Sequence, residues 1–267
     1  MDETPAYALR LSEPERSRYR QMASRARDAE GEQWRQYGIV PGAAVADIGC
    51  GPGAVLVQLA ELVAPGGHVV GVEPDPAARA AAIEEIAATG VANATVVEGV
   101  GTATTLEPAT FDVVMIRHVL FHVGGQVAAV LSHAASLLRP GGHLYVVDTD
   151  STAVRLSVDD ADWIEQMDRY RAFQRGRGNN VDIGPRLGPL LAAARLEVVE
   201  QRGYVSTIPA QLLIYGGPAV AARGEMMAAG LITDDDSRRY DDAAARVAST
   251  PAAVVFTPFY AAVGRRA

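Results

Sequence analysis

From residue 43 the chain alternates short apolar runs with helical ones. This predicts an α/β fold in which a parallel sheet carries helices on both faces. Two observations support it. The first is Val45-Ala46-Asp47-Ile48 followed by Gly49, Gly51 and Gly53 and then an apolar helical pattern, which is a strand, a tight turn and a helix N-terminus. The second is size: 267 residues, 49% of them hydrophobic, suffice for one α/β domain with a full core and appended helices.

Residues 13–37 are polar, rich in Glu, Arg and Gln, and helical in pattern; Ser12 followed by Glu15 has the form of a capping box. Pro41-Gly42 closes that segment. Val45–Ile48 leads into a helix over Ala54–Val63, and His68–Glu73 into a helix over Ala77–Ala88. Ala94–Glu98 is a third strand, and Phe111–Arg117 precedes a helix over Gln126–Leu138. Arg139-Pro140-Gly141-Gly142 turns sharply into a buried strand, Leu144–Asp148. Beyond Asp148 the pattern changes. Residues 152–183 are polar and contain the flexible-looking Gly176-Arg177-Gly178-Asn179-Asn180. A helix is expected over Arg186–Ala194, a strand over Leu196–Val199 and two helices within 208–249. Val254–Val263 alternates and closes the chain as an edge or antiparallel strand. The chain reads as one domain: 1–40 a helical lid, 41–150 a cofactor-binding core, 151–250 cap insertions with the remaining core, and 251–267 the closing strand. The insertions either cover a ligand cleft or plug the open faces of the sheet.

The glycine turn carries the chemistry. Glycine tolerates positive φ and lets a ligand touch bare backbone. The helix that follows aims free N–H groups and partial positive charge into the turn. A carboxylate fits there, and Asp47 at the strand's carboxyl end can accept from an ammonium. The loop therefore reads as a site for an amino-acid zwitterion or, less specifically, an anion. Gly49-x-Gly51-x-x-Ala54 also satisfies the dinucleotide fingerprint, with the acidic Glu73 about 20 positions on. Asp47 weighs between the two readings. It would repel a pyrophosphate, whereas a cofactor with an amino-acid tail places an ammonium beside it. Glu73-Pro74-Asp75 offers acceptors to ribose hydroxyls in either case.

Four segments in this order and spacing resemble the class I S-adenosylmethionine-dependent methyltransferases of the small-molecule type. They are Val45–Gly53, Val70-Gly71-Val72-Glu73-Pro74-Asp75, Phe111-Asp112-Val113-Val114-Met115-Ile116-Arg117 and Leu137-Leu138-Arg139-Pro140-Gly141-Gly142-His143-Leu144. The resemblance covers roughly residues 40–150. It implies a Rossmann-like, doubly wound seven-stranded sheet whose last strand, matching Val254–Val263, is antiparallel. It implies S-adenosyl-L-methionine as cofactor, with Asp47 and Gly49, Gly51 and Gly53 holding the methionine moiety and Glu73 and Pro74 at the ribose. There is one departure. Many members have Gly-Asp-Ala after the third strand, whose Asp takes the adenine amino group; here the stretch is Glu98-Gly99-Val100-Gly101. Adenine is then expected against the backbone of Val100 and Gly101 and by apolar packing.

Methyl transfer needs an aligned nucleophile, exclusion of water and, for some acceptors, removal of a proton. Arg117, His118 and His122 follow the fourth strand at its carboxyl end and are the catalytic candidates. The two histidines are four apart, so a helical turn would put them on one face, where a general base toward a phenol, hydroxyl or amine can sit. Their structural alternative is packing against cofactor and backbone, and they lack the carboxylate company of a metal site. Arg117 suits a substrate carboxylate, the cofactor, or an acidic residue of the N-terminal segment. Asp148 faces the cleft by topology, or else caps a helix or pairs with Arg155. Tyr7-Ala8-Leu9 and Glu15–Met22 resemble lid helices of small-molecule methyltransferases, which makes Tyr7 a lid candidate for the cofactor and Tyr19 one for the substrate; the alternative is that both are half-buried surface aromatics. Tyr170 and Phe173, with Tyr204, Tyr215, Met226 and Met227, line an apolar substrate chamber or belong to ordinary core.

Net charge is −8, which disfavours nucleic-acid partners, and all 24 basic residues are Arg, which removes lysine-based catalysis. A lone cysteine, Cys50, forms no internal disulfide, and no signal peptide or membrane span is read, so a cytoplasmic location is expected. The expected function is methyl transfer to a small molecule of bacterial secondary (specialised) metabolism. A nicotinamide-dependent oxidoreductase and a non-catalytic adenosine-cofactor-binding protein are the alternatives. A homodimer is expected if Val254–Val263 is an exposed edge.

Overall fold

The structure is a computed structural model that describes residues 13–212 and 217–267. Helix α1 (Glu13–Gln36) precedes alternating strands and helices: β1 (Ala44–Ile48), α2 (Ala54–Val63), β2 (His68–Val72), α3 (Pro76–Thr89) and β3 (Ala94–Val97). Next come β4 (Phe111–Arg117), α4 (Val127–Leu137), β5 (Leu138–Thr149) and the two-residue β6 (Arg155–Leu156). The remainder is α5 (Ala161–Gly176), α6 (Leu187–Ala193), β7 (Glu197–Pro209), α7 (Pro218–Ala221), α8 (Arg223–Ala228), α9 (Asp234–Ser249) and β8 (Val254–Arg265).

The sheet runs β3-β2-β1-β4-β5-β8, and β7 pairs β8. β1 to β5 are parallel, and β8 is antiparallel to β5, β6 and β7. Val255 and Phe256 pair with β6 on one side and β7 on the other, so β6 prolongs the line of β5. Seven strand positions result, as expected. The closing strand, however, is interior. β8 is flanked by β5 along His143–Thr149 and by β7 along its length, so the edge is β7 and the sequence argument for a dimer through Val254–Val263 falls away. The expected four-residue strand at Leu196 extends to Pro209 because β8 supplies a partner along that whole length.

β1 and β4 are buried along nearly their whole length, which is why they read as apolar runs without alternation. One core, containing Ile48, Val114, Ile116, Leu131 and Val146, lies beneath α4 and α6. The other, containing Trp34, Val45, Leu56, Met115 and Tyr145, lies beneath α1 and α2. Helix α1 lies across α2 and α3, tied by Arg27–Glu61, Arg16–Glu84 and Arg20–Glu85 at 2.6–2.8 Å. The cap formed by α5 and α7 to α9 has a core of its own, built from Tyr170, Phe173, Met226, Ile232 and Tyr240. Its rim carries ion pairs from Arg239 and Arg246 of α9 to Asp160, Asp162 and Glu165 at the start of α5. The Thr233–Asp236 capping box starts α9.

Candidate active site

The carboxyl ends of β1, β2, β4 and β5 lie side by side in the sheet, at the end where ligands of open α/β sheets bind. The first half of this site is the glycine turn. Gly49, Gly51 and Gly53 have φ of 76°, 53° and 84°. A side chain at Gly49 would strike Val119, and a Cβ at Gly53 would lie 2.9 Å from Ala82 Cβ. At Gly51 a Cβ would meet nothing within 4 Å among the described residues, so this backbone faces space that a ligand can occupy. Glu73 buttresses the turn by accepting from Gly51 N–H at 3.0 Å and Asp75 N–H at 2.9 Å. Burial raises the Glu73 pKa against those two bonds. Each oxygen retains a lone pair for a hydroxyl donor.

Asp47 is 2% exposed, and its carboxylate receives no hydrogen bond among the described residues. Burial pushes its pKa up from 3.8 to about 7; Arg117 opposes the rise and Glu73 adds to it. A buried carboxylate without a donor is costly unless a cation meets it. An amino-acid ammonium above the turn would do so, while a pyrophosphate would worsen the repulsion. The residues present fit the methionine tail of S-adenosylmethionine: Asp47 would meet its ammonium, Gly51 would offer bare backbone and Glu73 would accept from a ribose hydroxyl.

Other expected cofactor contacts change. Asp75 caps α3, accepting from Ala78 N–H at 2.8 Å, so it serves the helix. Pro74 is exposed and its carbonyl accepts from Arg79. The N–H and C=O of Val100 both bond Ala103, at 3.2 and 3.0 Å, so they are spent within a turn. The Val100 side chain is 41% exposed. Gly101 packs on Val130. Tyr19 lies in a crevice with Pro52, Ala54 and Ala81, beside the glycine turn rather than over the acceptor side. Tyr7, Ser12 and Tyr215 lie outside the described residues. Burial pushes the Cys50 thiol up, which leaves it inert as a nucleophile.

The second half is a chain of charges. Arg117 Nη2 donates to Glu30 Oε1 at 2.7 Å, and Glu30 is fully buried. Glu30 also accepts from Trp34 Nε1 at 3.3 Å and from the Tyr204 hydroxyl. Arg117 thus meets an acidic residue of the N-terminal helix. Its Nη1 lies 2.7 Å from His118 Nε2. Guanidinium can only donate, so Nε2 accepts and the ring proton sits on Nδ1. That nitrogen is 4.0 Å from Asp148 Oδ1. Burial first and Arg117 second lower the His118 pKa, while Asp148 and Glu30 oppose them. The imidazole is therefore neutral at pH 7, as a general base must be.

Asp148 is fully buried and accepts from Phe121 N–H at 3.0 Å and Thr149 N–H at 2.9 Å. This corrects its expected place against substrate, and it pairs with His118 rather than Arg155, which donates to the carbonyls of Thr152 and Val154. The two histidines do not share a helical face. His118 has φ of 58°, and the 3-10 turn begins only at Leu120. His122 is exposed, its ring 4.7 Å from that of Phe121. Tyr170 and Phe173 belong to the cap core, which corrects their expected place in a chamber wall. The flexible-looking 176–180 segment is stitched down: Asn180 donates from its N–H to Phe121 O and from Nδ2 to Leu120 O and Gly124 O, at 2.8–3.0 Å. The sequence offers Arg117 an acidic partner in the N-terminal segment without singling out Glu30, and it shows Asn180 only as part of a flexible-looking stretch. Glu30 is 87 positions from Arg117, and Asn180 is 56 and 60 positions from Gly124 and Leu120, so no local spacing announces either contact.

Residues 46–144 match the family described as a methyltransferase domain. That stretch of the chain is similar to a methyltransferase domain. Over 107 residues the chain is 40% identical to nocamycin O-methyltransferase of Saccharothrix syringae, covering 39% of this chain and 37% of that protein. The chain thus spans little more than a third of this curated relative's length. A SAM dependent methyltransferase from Aquifex aeolicus superposes with TM-score 0.53 at 16% identity, covering 71% of this chain and 92% of that one. The Haemonchus contortus phosphoethanolamine N-methyltransferase 2, in complex with S-adenosylhomocysteine, superposes with TM-score 0.54 at 16% identity, covering 88% of this chain and 52% of that one. At such identities these two structures carry the fold of the methyltransferase domain and nothing of its acceptor.

Proposed function

We propose that the protein transfers a methyl group from S-adenosylmethionine to a small-molecule acceptor of bacterial specialised metabolism, with His118 as general base. The observation that carries the cofactor is the buried, donor-less carboxylate of Asp47 beside the open backbone of Gly51. The cofactor supplies the methyl group. Asp47, Gly51 and Glu73 orient its tail and ribose, and Val100 flanks the base. His118, neutral and partly exposed, accepts the acceptor's proton at Nε2 once Arg117 yields that nitrogen. Resemblance to nocamycin O-methyltransferase supports a small hydroxyl-bearing acceptor. No helix among the described residues is long and apolar enough to cross a membrane, and we place the enzyme in the cytoplasm.

Calorimetric titration of wild type and Asp47→Ala with S-adenosylmethionine and, separately, NAD(H) tests this reading. Micromolar binding of the sulfonium cofactor that Asp47→Ala abolishes is the expected result. Binding of NAD(H) alone would overturn it.

A further inference from the structure

β7 pairs on one side only. Its strand neighbour among the described residues is β8, in a register that runs from Glu200 opposite Val263 to Pro209 opposite Val254. In an antiparallel ladder, alternate residues turn their N–H and C=O to opposite sides. Two bonds fix the phase here. Ala210 N–H donates to Ala253 O at 2.9 Å, so the even-numbered residues of β7 face β8. Val254, opposite Pro209, turns its carbonyl away from β7 and accepts from Ser157 N–H at 2.9 Å. The odd-numbered residues therefore point outward. Gln201, Gly203, Val205 and Thr207 each line the edge with an N–H and a C=O that meet no partner among the described residues. Pro209 stands at an outward position too, where its missing N–H costs the ladder nothing.

The edge is also apolar on one face. Val205 is 60% exposed, the highest value among the exposed large hydrophobics described, and Phe256, opposite Thr207 on β8, is 39% exposed. Gly188 of α6 packs on Gln201, and Gly184 packs on Tyr260, so this face is covered there and bare beyond. The charged residues of the stretch, Glu200 and Arg202, lie on the other face, where Arg202 donates to Ala29 O of α1 at 3.1 Å. Sheet edges are commonly blunted by charge, proline or a bulge. Here the bulge between Val198 and Glu200 and the proline at 209 stand at the two ends and leave Gln201–Thr207 unguarded.

The geometry points to a second copy of this chain as the occupant: two β7 edges pair antiparallel about a two-fold axis at Val205, joining two sheets into one. Such an axis keeps like faces together, so the pairing must be centred on a residue. Centring on Val205 sets Gln201 against the partner's Pro209 and Gly203 against the partner's Thr207. Each of the four outward N–H groups then meets a carbonyl, and Pro209 only accepts. Centring on Gly203 would set Thr207 against the bulge instead. At the Val205 axis the two valines meet, with Pro258 beside each on β8. Arg202 falls opposite the partner's Ile208 and Glu200 opposite the partner's Ala210, so no like charges face each other. The ten-residue edge is a strip about 34 Å long, which reaches the roughly 600 Å² per copy of the smallest specific interfaces if side chains cover about 18 Å across it. Pairing would also brace Tyr204, which holds Glu30 and stacks on Phe259, in a strand bonded on both sides. The inference rests on the sheet alone and stands apart from the methyltransferase reading.

Sedimentation velocity at micromolar concentration should give a mass about twice that of the 28.1 kDa chain. Val205→Lys sets like charges against each other at the axis and should weaken the dimer at least about tenfold. Thr207→Pro removes an outward N–H that the chain's own ladder does not use. It should weaken the dimer while far-UV circular dichroism and the unfolding midpoint stay near those of wild type. Cross-linking reads the register: with Cys50 buried, a short bismaleimide should join Val205→Cys protomers into a covalent dimer and Gln201→Cys protomers far less. A monomeric wild type overturns the proposal. So does a dimer that Val205→Lys and Thr207→Pro both leave intact, or cross-linking as efficient through Gln201→Cys as through Val205→Cys.

Discussion

The two halves of the cleft handle buried charge in opposite ways. On the β1–β2 side, Asp47 is buried with no donor from the described residues, and Gly51 faces space that they leave open. On the β4–β5 side, each buried acid is already engaged: Glu30 by Arg117, Trp34 and Tyr204, and Asp148 by two backbone N–H groups beside His118. One half is left electrostatically incomplete until a ligand arrives; the other is complete and must be entered by exchange. The halves touch where Val119, just past His118, packs over Gly49.

Breaking the completed half has the largest effect. Glu30→Ala leaves the buried Arg117 guanidinium unpaired and should cost about 3–5 kcal/mol in urea unfolding. Glu30→Leu combined with Arg117→Met should recover most of that loss, because an apolar pair replaces an uncompensated charge. Breaking the incomplete half should instead spare the fold. Asp47→Asn should weaken cofactor binding about 100-fold by calorimetry, as removal of one partner of a desolvated charge pair does.

The pH dependence of the cofactor-free protein sharpens the contrast. The folded-state pKa of Asp47 is raised from 3.8 to about 7, so the folded chain binds more protons than the unfolded one between those values. Stability should therefore fall as pH rises through that window, and Asp47→Asn should lose that component of the slope in pH-dependent unfolding.

Asn180→Ala should cost about 1–2 kcal/mol, because the carbonyls of Leu120 and Gly124 lose a shared side-chain donor. It should also loosen the His118 turn, which would show as faster amide exchange over residues 118–124. Gly51→Ala should cost about 1 kcal/mol from its left-handed φ, with no clash among the described residues, while cofactor affinity falls by more than that. The smallest effect is on the rate profile. With the His118 pKa lowered by burial and Arg117, kcat/KM should rise along an acid limb lying below pH 6.5 and stay level through neutrality. Asp148→Asn should shift that limb further down.

The cofactor half was legible from sequence because its determinants are local. Strand, turn and helix lie in one stretch from Val45 to Val63, and only glycine fits the positive φ at Gly49, Gly51 and Gly53. Parallel strands buried on both faces write themselves as apolar runs, so β1, β2, β4 and β5 could be placed before any coordinates. What only the tertiary structure decided lies between elements distant in the chain. It seats β8 inside the sheet, because β7 needs a partner along its 13 residues. It gathers Tyr170 and Phe173 into the cap core instead of a chamber wall. It brings Glu30 to Arg117 and Asp148 to His118, pairings that follow from desolvation rather than spacing: a charge buried by packing must find its counter-charge wherever the fold brings one within reach.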